Sequence, residues 1–193
     1  MVIQRALRLS IFAVLIIIGT AAPARTQGFI SPFLGVNFGG VSGCPQLSDC
    51  ENQQRNLSLS LGKFGSFFGA ETEVAYSPKF FGEAPGLSSN VLTMMGNVML
   101  APKVGPVRPY LLAGTGIMKT RFELRTTDLL STNDTSFGYV VGGGVFALLG
   151  DHFGVRGDVR YYHSFPAVTI LGITLRSDKL NFSRAGAGVV FQF

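Results

Sequence analysis

Charged residues spaced two apart are the first candidates for chemistry in this sequence. They occur in VRGDVRYY (155–162) and AETEVAY (70–76). Side chains two positions apart on a β-strand point to the same face, so each run would place its charges on one side. Seven charged residues lie on the polar face of segments that alternate between apolar and polar positions: Glu71, Glu73, Arg108, Arg156, Asp158, Arg160 and Arg184. Three acids and four arginines nearly cancel, which favours an internal ion-pair network.

Tyr162, His163 and Ser164 are the strongest candidates for catalysis. A working pair of nucleophile and base needs both side chains on one face and an acid to orient the histidine. Neighbouring residues on a strand face opposite sides. We therefore expect His163 at the outside or the rim and Ser164 inside. No acid partner is evident, so we predict no catalytic residue and no enzyme activity. We also predict no cofactor and no metal site, since the two cysteines of the chain have no further Cys or His nearby.

The elements that must position these residues are β-strands. After residue 25 the chain shows period-two alternation in blocks of about ten residues, broken by Gly, Pro, Asn, Asp or Ser. Sustained helical periodicity is not found there. The eight predicted strands are 29–39, 56–64, 68–80, 91–101, 107–122, 137–149, 153–162 and 180–193.

The connections between these blocks alternate in length. The short ones are 65–66, 102–106 and 150–152, and the long polar or irregular ones are 40–55, 82–90, 124–136 and 164–179. Short turns on one side and long loops on the other are typical of up-and-down barrels in outer membranes. The last long loop, FPAVTILGITLRSD, is unusually apolar. It suggests a hairpin turning at 171–172 that continues the seventh and eighth strands. Such a hairpin could bind a partner by strand addition, or its two long strands could simply pack on each other.

The distribution of charge favours a barrel in lipid over a soluble one. Hydrophobic residues make up 47% of the chain and charged residues only 14%, against roughly 25% charged in soluble domains. One face of the blocks is rich in Leu, Val, Ala and Phe, which suits a lipid belt. The other face carries many glycines, which would leave room for arginine side chains inside a narrow barrel. A soluble exported β-domain is the alternative.

The first segment indicates export. Arg5 and Arg8 precede a short apolar run, 9–18, and an Ala-Pro-Ala site at 22–24. This order is the signature of a signal peptide, and the run is short of the roughly 20 apolar residues that a membrane helix needs. We predict a signal peptide over 1–24 and a barrel over 25–193. In an oxidising compartment Cys44 and Cys50 could form a loop disulfide, with free thiols as the alternative.

Three segments carry a resemblance to a known group of proteins. They are VRPYLLAGTGIM (107–118), FGYVVGGGVFALLGDHFGVRGDVRYY (137–162) and NFSRAGAGVVFQF (181–193). The chain resembles the small outer-membrane β-barrel proteins of Gram-negative bacteria, in the group of the outer membrane protein A membrane domain and the OmpX/Ail-like proteins. The resemblance implies an outer-membrane location. It also implies that Val189, Phe191 and Phe193 form the signal read by the outer-membrane insertion machinery.

The resemblance leaves several functions open. We expect a structural or surface-interaction protein that acts through its extracellular loops. A narrow porin-like channel through the charged lumen is the first alternative, and a lipopolysaccharide acyl-chain hydrolase is the second. Expected partners are outer-membrane lipid, lipopolysaccharide and a host or cell-surface ligand at the loops. The net charge of +5 is scattered along the chain, so nucleic-acid binding is not predicted.

Overall fold

The computed structural model describes residues 27–40, 42, 54–81, 87–124, 131–165, 168–170, 173–175 and 180–193. These residues form the following strands: β1 (Gln27–Phe38), β2 (Gln54–Phe64), β3 (Phe68–Pro78), β4 (Leu87–Leu100), β5 (Val107–Leu124), β6 (Ser131–Leu148), β7 (Phe153–Ser164), β8 (Val168–Ile170), β9 (Ile173–Leu175) and β10 (Asn181–Gln192). In the described part of the chain, no helix is long and apolar enough to cross a membrane.

Eight of these strands close into an antiparallel barrel in the order β1-β10-β7-β6-β5-β4-β3-β2. Chain neighbours pair with each other, and the first strand closes against the last. At this seam Gly28 and Phe193 exchange two backbone hydrogen bonds of 2.9 and 3.0 Å. Closure leaves no free sheet edge within the ring, which is the condition for a sheet in hydrocarbon. The predicted all-β, eight-stranded up-and-down barrel is confirmed.

The connections define two ends of the barrel. The short connections 65–67, 101–106 and 149–152 lie at one end, which we call the turn end, together with Gln27 and Phe193. The other end, the loop end, carries the long connections. Glycine permits the backbone conformation that two of the short turns require, because Gly105 and Gly150 have φ of 63° and 155°.

Alternation along each strand separates an outer apolar face from the lumen. In β7, for example, every second residue from Gly154 to Ser164 is buried, and the residues between them are exposed or half-buried. Outward-facing residues include Leu34, Val98, Leu111 and Val159. The sequence predicted this phase because a period-two pattern fixes which side chains share a face.

The strands of one wall extend further than the sequence predicted. β4 begins at Leu87 rather than 91, and β6 begins at Ser131 rather than 137. Pairing of β4 with β5 continues to Leu87↔Leu124, whereas pairing of β3 with β4 stops at Pro78↔Asn90. Polar residues such as those of 131–136 form strand here because β5 supplies a hydrogen-bonding partner, and strand preference depends on such context.

The apolar fourth loop also differs from expectation. Val168–Ile170 and Ile173–Leu175 pair antiparallel, with Ile170 opposite Ile173. The two residues between them, 171 and 172, coincide with the predicted turn but lie outside the described residues. The hairpin is a separate two-stranded sheet and does not continue β7 and β10, so the predicted extension of those strands is wrong.

Candidate functional site

The buried charges of the lumen come from strands on opposite walls. β3 supplies Glu71 and Glu73, and β7 supplies the three alternating charges from Arg156 to Arg160. In the ring order β3 and β7 are four strands apart in either direction. A contact between them therefore spans the full width of the barrel.

Ion pairs join these walls directly. Arg156 Nη1 lies 2.8 Å from Glu71 Oε2, and Arg160 Nη1 lies 3.0 Å from Glu71 Oε1. Arg160 also pairs with Glu73, and its Nη2 lies 2.8 Å from Asp158 Oδ2. Arg160 thus contacts all three acids of the lumen, and its substitution would affect each of them.

A third strand adds the remaining cation of this network. Arg184 of β10 places its Nη1 2.8 Å from Glu73 Oε1, and its Nε donates to Asn37 Oδ1 at 2.9 Å. We call Glu71, Glu73, Arg156, Asp158, Arg160 and Arg184 the lumen network. It contains three acids and three arginines and is therefore neutral by itself.

Uncharged side chains complete the hydrogen bonding. The sequence singled out neither Tyr110 nor Asn97, and it singled out Tyr162 only as a candidate for catalysis. Tyr110 donates to Asp158 and accepts from Arg156 Nε at 2.8 Å. Tyr162 donates to Glu73 Oε1 at 3.2 Å, and Asn97 donates to Glu71 Oε1 at 3.0 Å. All three could have been found from the sequence, because they lie on the same strand face as the charges. A buried ion needs several hydrogen-bond partners, so polar residues on that face are the natural candidates.

An aromatic layer fills the lumen on the turn-end side of the network. The ring of Phe64 lies 4.5 Å from that of Phe29 and 4.8 Å from that of Phe146, measured between centroids. Tyr110 packs on Phe146 at 4.8 Å, and the Arg156 guanidinium lies 4.7 Å from the Phe146 centroid. These rings pack against one another across the lumen, between the ions and the turn end.

A second aromatic layer lies on the loop-end side. Tyr162 and Phe182 stack with centroids 4.8 Å apart, and Phe80 packs on Phe182 at the same distance. Arg184 lies over the Tyr162 ring at 4.6 Å. All three rings are buried. The ions are therefore enclosed between two layers of buried aromatic rings.

Glycines on the wall make room for the network. A Cβ at Gly144 would lie 2.4 Å from Asp158 Cβ, and one at Gly142 would lie 3.0 Å from Arg160 Cγ. Their Cα partners on β7 are these same charged residues, since Gly144 pairs with Asp158 and Gly142 with Arg160. The predicted role of inward-facing glycines in a narrow barrel has this geometric basis.

Arg108, the seventh predicted charge, lies apart from the lumen network. Its Nη2 donates to the carbonyl of Gly65 at 3.1 Å, and its guanidinium lies over Phe64 at 4.5 Å. It lies at the second position of β5, on the turn-end side of the aromatic layer. The sequence shows that Arg108 faces the lumen. It does not show which charges lie at the same height in the lumen, because that depends on the register between strands.

The structure separates the side chains considered for catalysis. Ser164 is buried, and its Oγ accepts from the Leu180 amide at 2.8 Å. His163 is half-buried on the outer face, where its Nδ1 lies 3.5 Å from the Tyr161 hydroxyl and its ring packs on Tyr139. Histidine and serine therefore point to opposite sides of the wall, as their adjacent positions predicted.

The remaining candidates have simple surroundings. Phe193 is 79% exposed beside Gly28, and Phe191 packs on Phe153 at 5.7 Å on the outer face. Cys44, Cys50 and residues 1–26 lie outside the described residues, so the disulfide and the signal peptide stay predictions. In the described ranges, no group of three or more His, Cys, Asp or Glu side chains is placed to hold a metal ion.

A protruding sheet at the loop end is a further candidate surface. β6 pairs with β7 only up to Gly138↔Ser164, whereas it pairs with β5 up to Ser131↔Glu123. Phe165 donates its amide to the Phe137 carbonyl at 2.8 Å, which shows that Phe137 turns its backbone groups toward β7. Residues 131–136 therefore have one side facing away from β5, and β9 lies beside β6 without a described ladder.

The closed ring, the outer apolar face and the enclosed charges together define an outer-membrane β-barrel. Residues 10–193 match the family model described as the outer membrane protein beta-barrel domain. The chain belongs to this family, and it is an outer-membrane protein. No curated protein matches the chain.

Solved structures share this fold at low sequence identity. Neisserial surface protein A has a TM-score of 0.62 and 15% identity, with 87% of this chain and 97% of that chain covered. For Ail of Yersinia pestis the TM-score is 0.55 and the identity 14%, with 87% and 98% covered. OprG from Pseudomonas aeruginosa has a TM-score of 0.54 and 15% identity, with 87% of this chain and 95% of that chain covered. At these identities the likeness establishes the fold alone.

Proposed function

We propose that this protein is a closed barrel that acts as a surface-interaction protein at its loop end, facing the cell exterior. One observation carries this proposal. The β4–β5–β6 wall rises beyond its neighbours, and its backbone over 131–136 pairs with β5 but with no other described strand. An exposed sheet edge is a template for an added strand. Strand β9 of the hairpin β8–β9 lies close to β6, and its sequence is apolar.

The filled lumen supports this function over a pore. The two aromatic layers enclose an ion network that is neutral and spans the barrel. An ion would have to displace buried rings and break several ion pairs in order to pass. Small barrels of about eight strands normally have interiors filled by side chains.

Proteins of the same fold suggest suitable probes. Neisserial surface protein A is named for its surface location, and Ail is an attachment invasion locus protein. Ail has also been solved in complex with the heparin analogue sucrose octasulfate. For this chain we propose an analogous interaction with a host or cell-surface ligand, and heparin is a practical first probe.

The enzyme alternative has little geometric support. His163 and Ser164 lie on opposite sides of the wall, and Ser164 Oγ is occupied by a backbone amide. We therefore propose no catalytic role for either residue. Release of acyl chains from lipopolysaccharide that is lost in both H163A and S164A would contradict this assignment.

Single-channel recording separates the surface role from the pore. The protein is purified from outer membranes, its folding is verified by a gel-mobility shift on heating, and it is added to a planar bilayer. We expect no reproducible current steps, because the lumen is filled. Steady steps of uniform size would make the charged lumen a conduction path and would overturn the closed-barrel proposal.

Bacterial retention tests the surface edge. By alternation from Phe137, the Thr135 amide faces away from β5, so Thr135→Pro removes an edge donor and keeps the ladder with β5. Bacteria that display the chain are incubated on a layer of epithelial cells, whose surface proteins can supply a strand. On this layer we expect retention above that of bacteria without the chain, a several-fold loss in Thr135→Pro, and no loss in Thr135→Ala. Immobilised heparin, a polysaccharide, cannot pair with a sheet edge and is a separate probe that Thr135→Pro should leave unaffected. Full retention of Thr135→Pro on the epithelial layer would exclude strand addition at this edge.

A further inference from the structure

The turn end of the lumen holds a cation that the lumen network does not neutralise. The buried charged residues of the described chain are three acids and four arginines. Arg156, Arg160 and Arg184 form the ion pairs with the three acids. Arg108 takes no part in the ion pairs among described residues, yet it is only 4% exposed. A charge buried in this way is costly unless a counter-charge accompanies it.

Contacts on two sides fix the Arg108 guanidinium and leave donors unused. Nη2 donates to the Gly65 carbonyl at 3.1 Å, and the planar group stacks over Phe64 at 4.5 Å. Nε and Nη1 have no hydrogen-bond partner among the described residues. Each buried donor left unmatched costs free energy, so a preorganised cation with free donors favours a negatively charged acceptor.

Gln192 supplies another unused donor at the same end. Its backbone amide donates to the His152 carbonyl in the β6–β7 turn at 2.9 Å. Its Cα partner is Phe29, whose ring stacks on the same Phe64 that carries Arg108. The side chain is buried, and its Nε2 has no partner among the described residues.

We propose that the turn end binds a small inorganic anion, with Arg108 as the main ligand and Gln192 as a further donor. The surplus of one positive charge matches a monovalent anion. The aromatic floor of Phe29 and Phe64 disfavours a strongly hydrated ion, since its water would have to be removed on entry. Chloride fits these requirements better than phosphate. The turn end faces the periplasm, because the short turns lie on that side in this class of barrel.

Chloride-35 NMR on the protein in nonionic detergent tests this site. Potassium chloride is exchanged against potassium gluconate at constant ionic strength, and excess line broadening is followed as a function of chloride. We expect saturable broadening in the wild type and binding weakened about ten-fold or more in Arg108→Met, since charge-assisted hydrogen bonds of about 1.5–3 kcal/mol are lost. Lys103→Met is the matched control, because it removes an exposed cation at the same end.

Equal broadening in the wild type and in Arg108→Met would overturn the proposal and leave water as the partner of Arg108. If Arg108→Met does not fold, the wild type still decides the matter. Broadening that saturates with chloride and is reversed by nitrate supports the site. Broadening that rises linearly with chloride, without saturation, shows only weak binding to surface cations and contradicts the proposal.

Discussion

Arg160 is the residue on which the lumen network depends most, because it contacts Glu71, Glu73 and Asp158. Replacing it with methionine keeps much of the volume but leaves three buried acids with two arginines. Removal of one partner from a buried pair typically costs about 3–5 kcal/mol. The cost comes from the remaining charge, which has lost both water and its counter-ion.

We therefore predict that Arg160→Met lowers the free energy of unfolding by about 3–5 kcal/mol. Urea unfolding in lipid vesicles, followed by the heat-dependent gel shift, measures this. Arg55→Met removes an exposed arginine from β2 and is the control, with an expected change below about 0.5 kcal/mol. Equal unfolding midpoints for the two variants would show that the network contributes no stability.

A glycine pair gives a second test at the residue scale. A Cβ at Gly144 would lie 2.3 Å from the Gly157 carbonyl and 2.4 Å from Asp158 Cβ, so Gly144→Ala must displace the network. We expect a loss of about 1–3 kcal/mol. Gly157→Ala, with its nearest atom at 3.8 Å, should be tolerated. The same urea series compares the two, and equal losses would mean that strand propensity, not lumen space, sets the cost.

The sequence predicted these charges better than their partners. Alternation alone places Glu71 and Arg156 in the lumen, since a strand has only two faces. Which charges meet depends on strand register and barrel stagger, which a sequence pattern does not specify. For the same reason the separation of Arg108 from the other six was not foreseen.

In the last strand, β10, and the residue that follows it, the packing of the folded barrel can be tested separately from insertion into the membrane. Phe193 is largely exposed, so its ring adds little to the packing of the folded barrel, while its backbone closes the seam with Gly28. We propose that its ring, with Val189 and Phe191, is read by the insertion machinery. The side chain and the backbone of one residue would then have different roles.

Phe193→Ala should reduce the folded fraction in outer membranes several-fold. It should leave the free energy of unfolding of the purified protein, measured in urea, unchanged within about 0.5 kcal/mol. The heat-shifted gel band from membranes and from refolded protein provides both values. Phe68→Ala removes an equally exposed ring from the start of β3 and should affect neither. Normal assembly of Phe193→Ala in cells would contradict the signal.

Strand existence was predictable, but strand ends were not. The eight barrel strands follow the alternating blocks closely, because one face must meet lipid along the whole membrane-spanning length. Beyond the membrane that constraint ends. The polar residues 131–136 resemble a loop in composition, and they form strand because β5 continues beside them.

At the scale of the whole molecule, the outer belt fixes the depth of the barrel in the membrane. Val141 faces outward near the middle of β6, and Thr135 is in the same phase toward the loop end. A charge costs about 2–4 kcal/mol at the membrane midplane of such barrels and about 0–1 near the interface. Val141→Arg should therefore lower the free energy of unfolding by about 2–4 kcal/mol, and Thr135→Arg by about 0–1 kcal/mol. Similar unfolding energies in vesicles would contradict the proposed depth.

The pairing of opposite walls also constrains how the barrel can form. Glu71 and Arg156 are separated by 85 residues along the chain, and they meet across the lumen only when the ring is closed. A half-rolled sheet inserted in hydrocarbon would expose both ions to acyl chains, at a cost that such a species could not sustain. Intermediates of this protein should therefore remain at the hydrated membrane surface, and entry into the bilayer should coincide with the curling of the sheet into a cylinder.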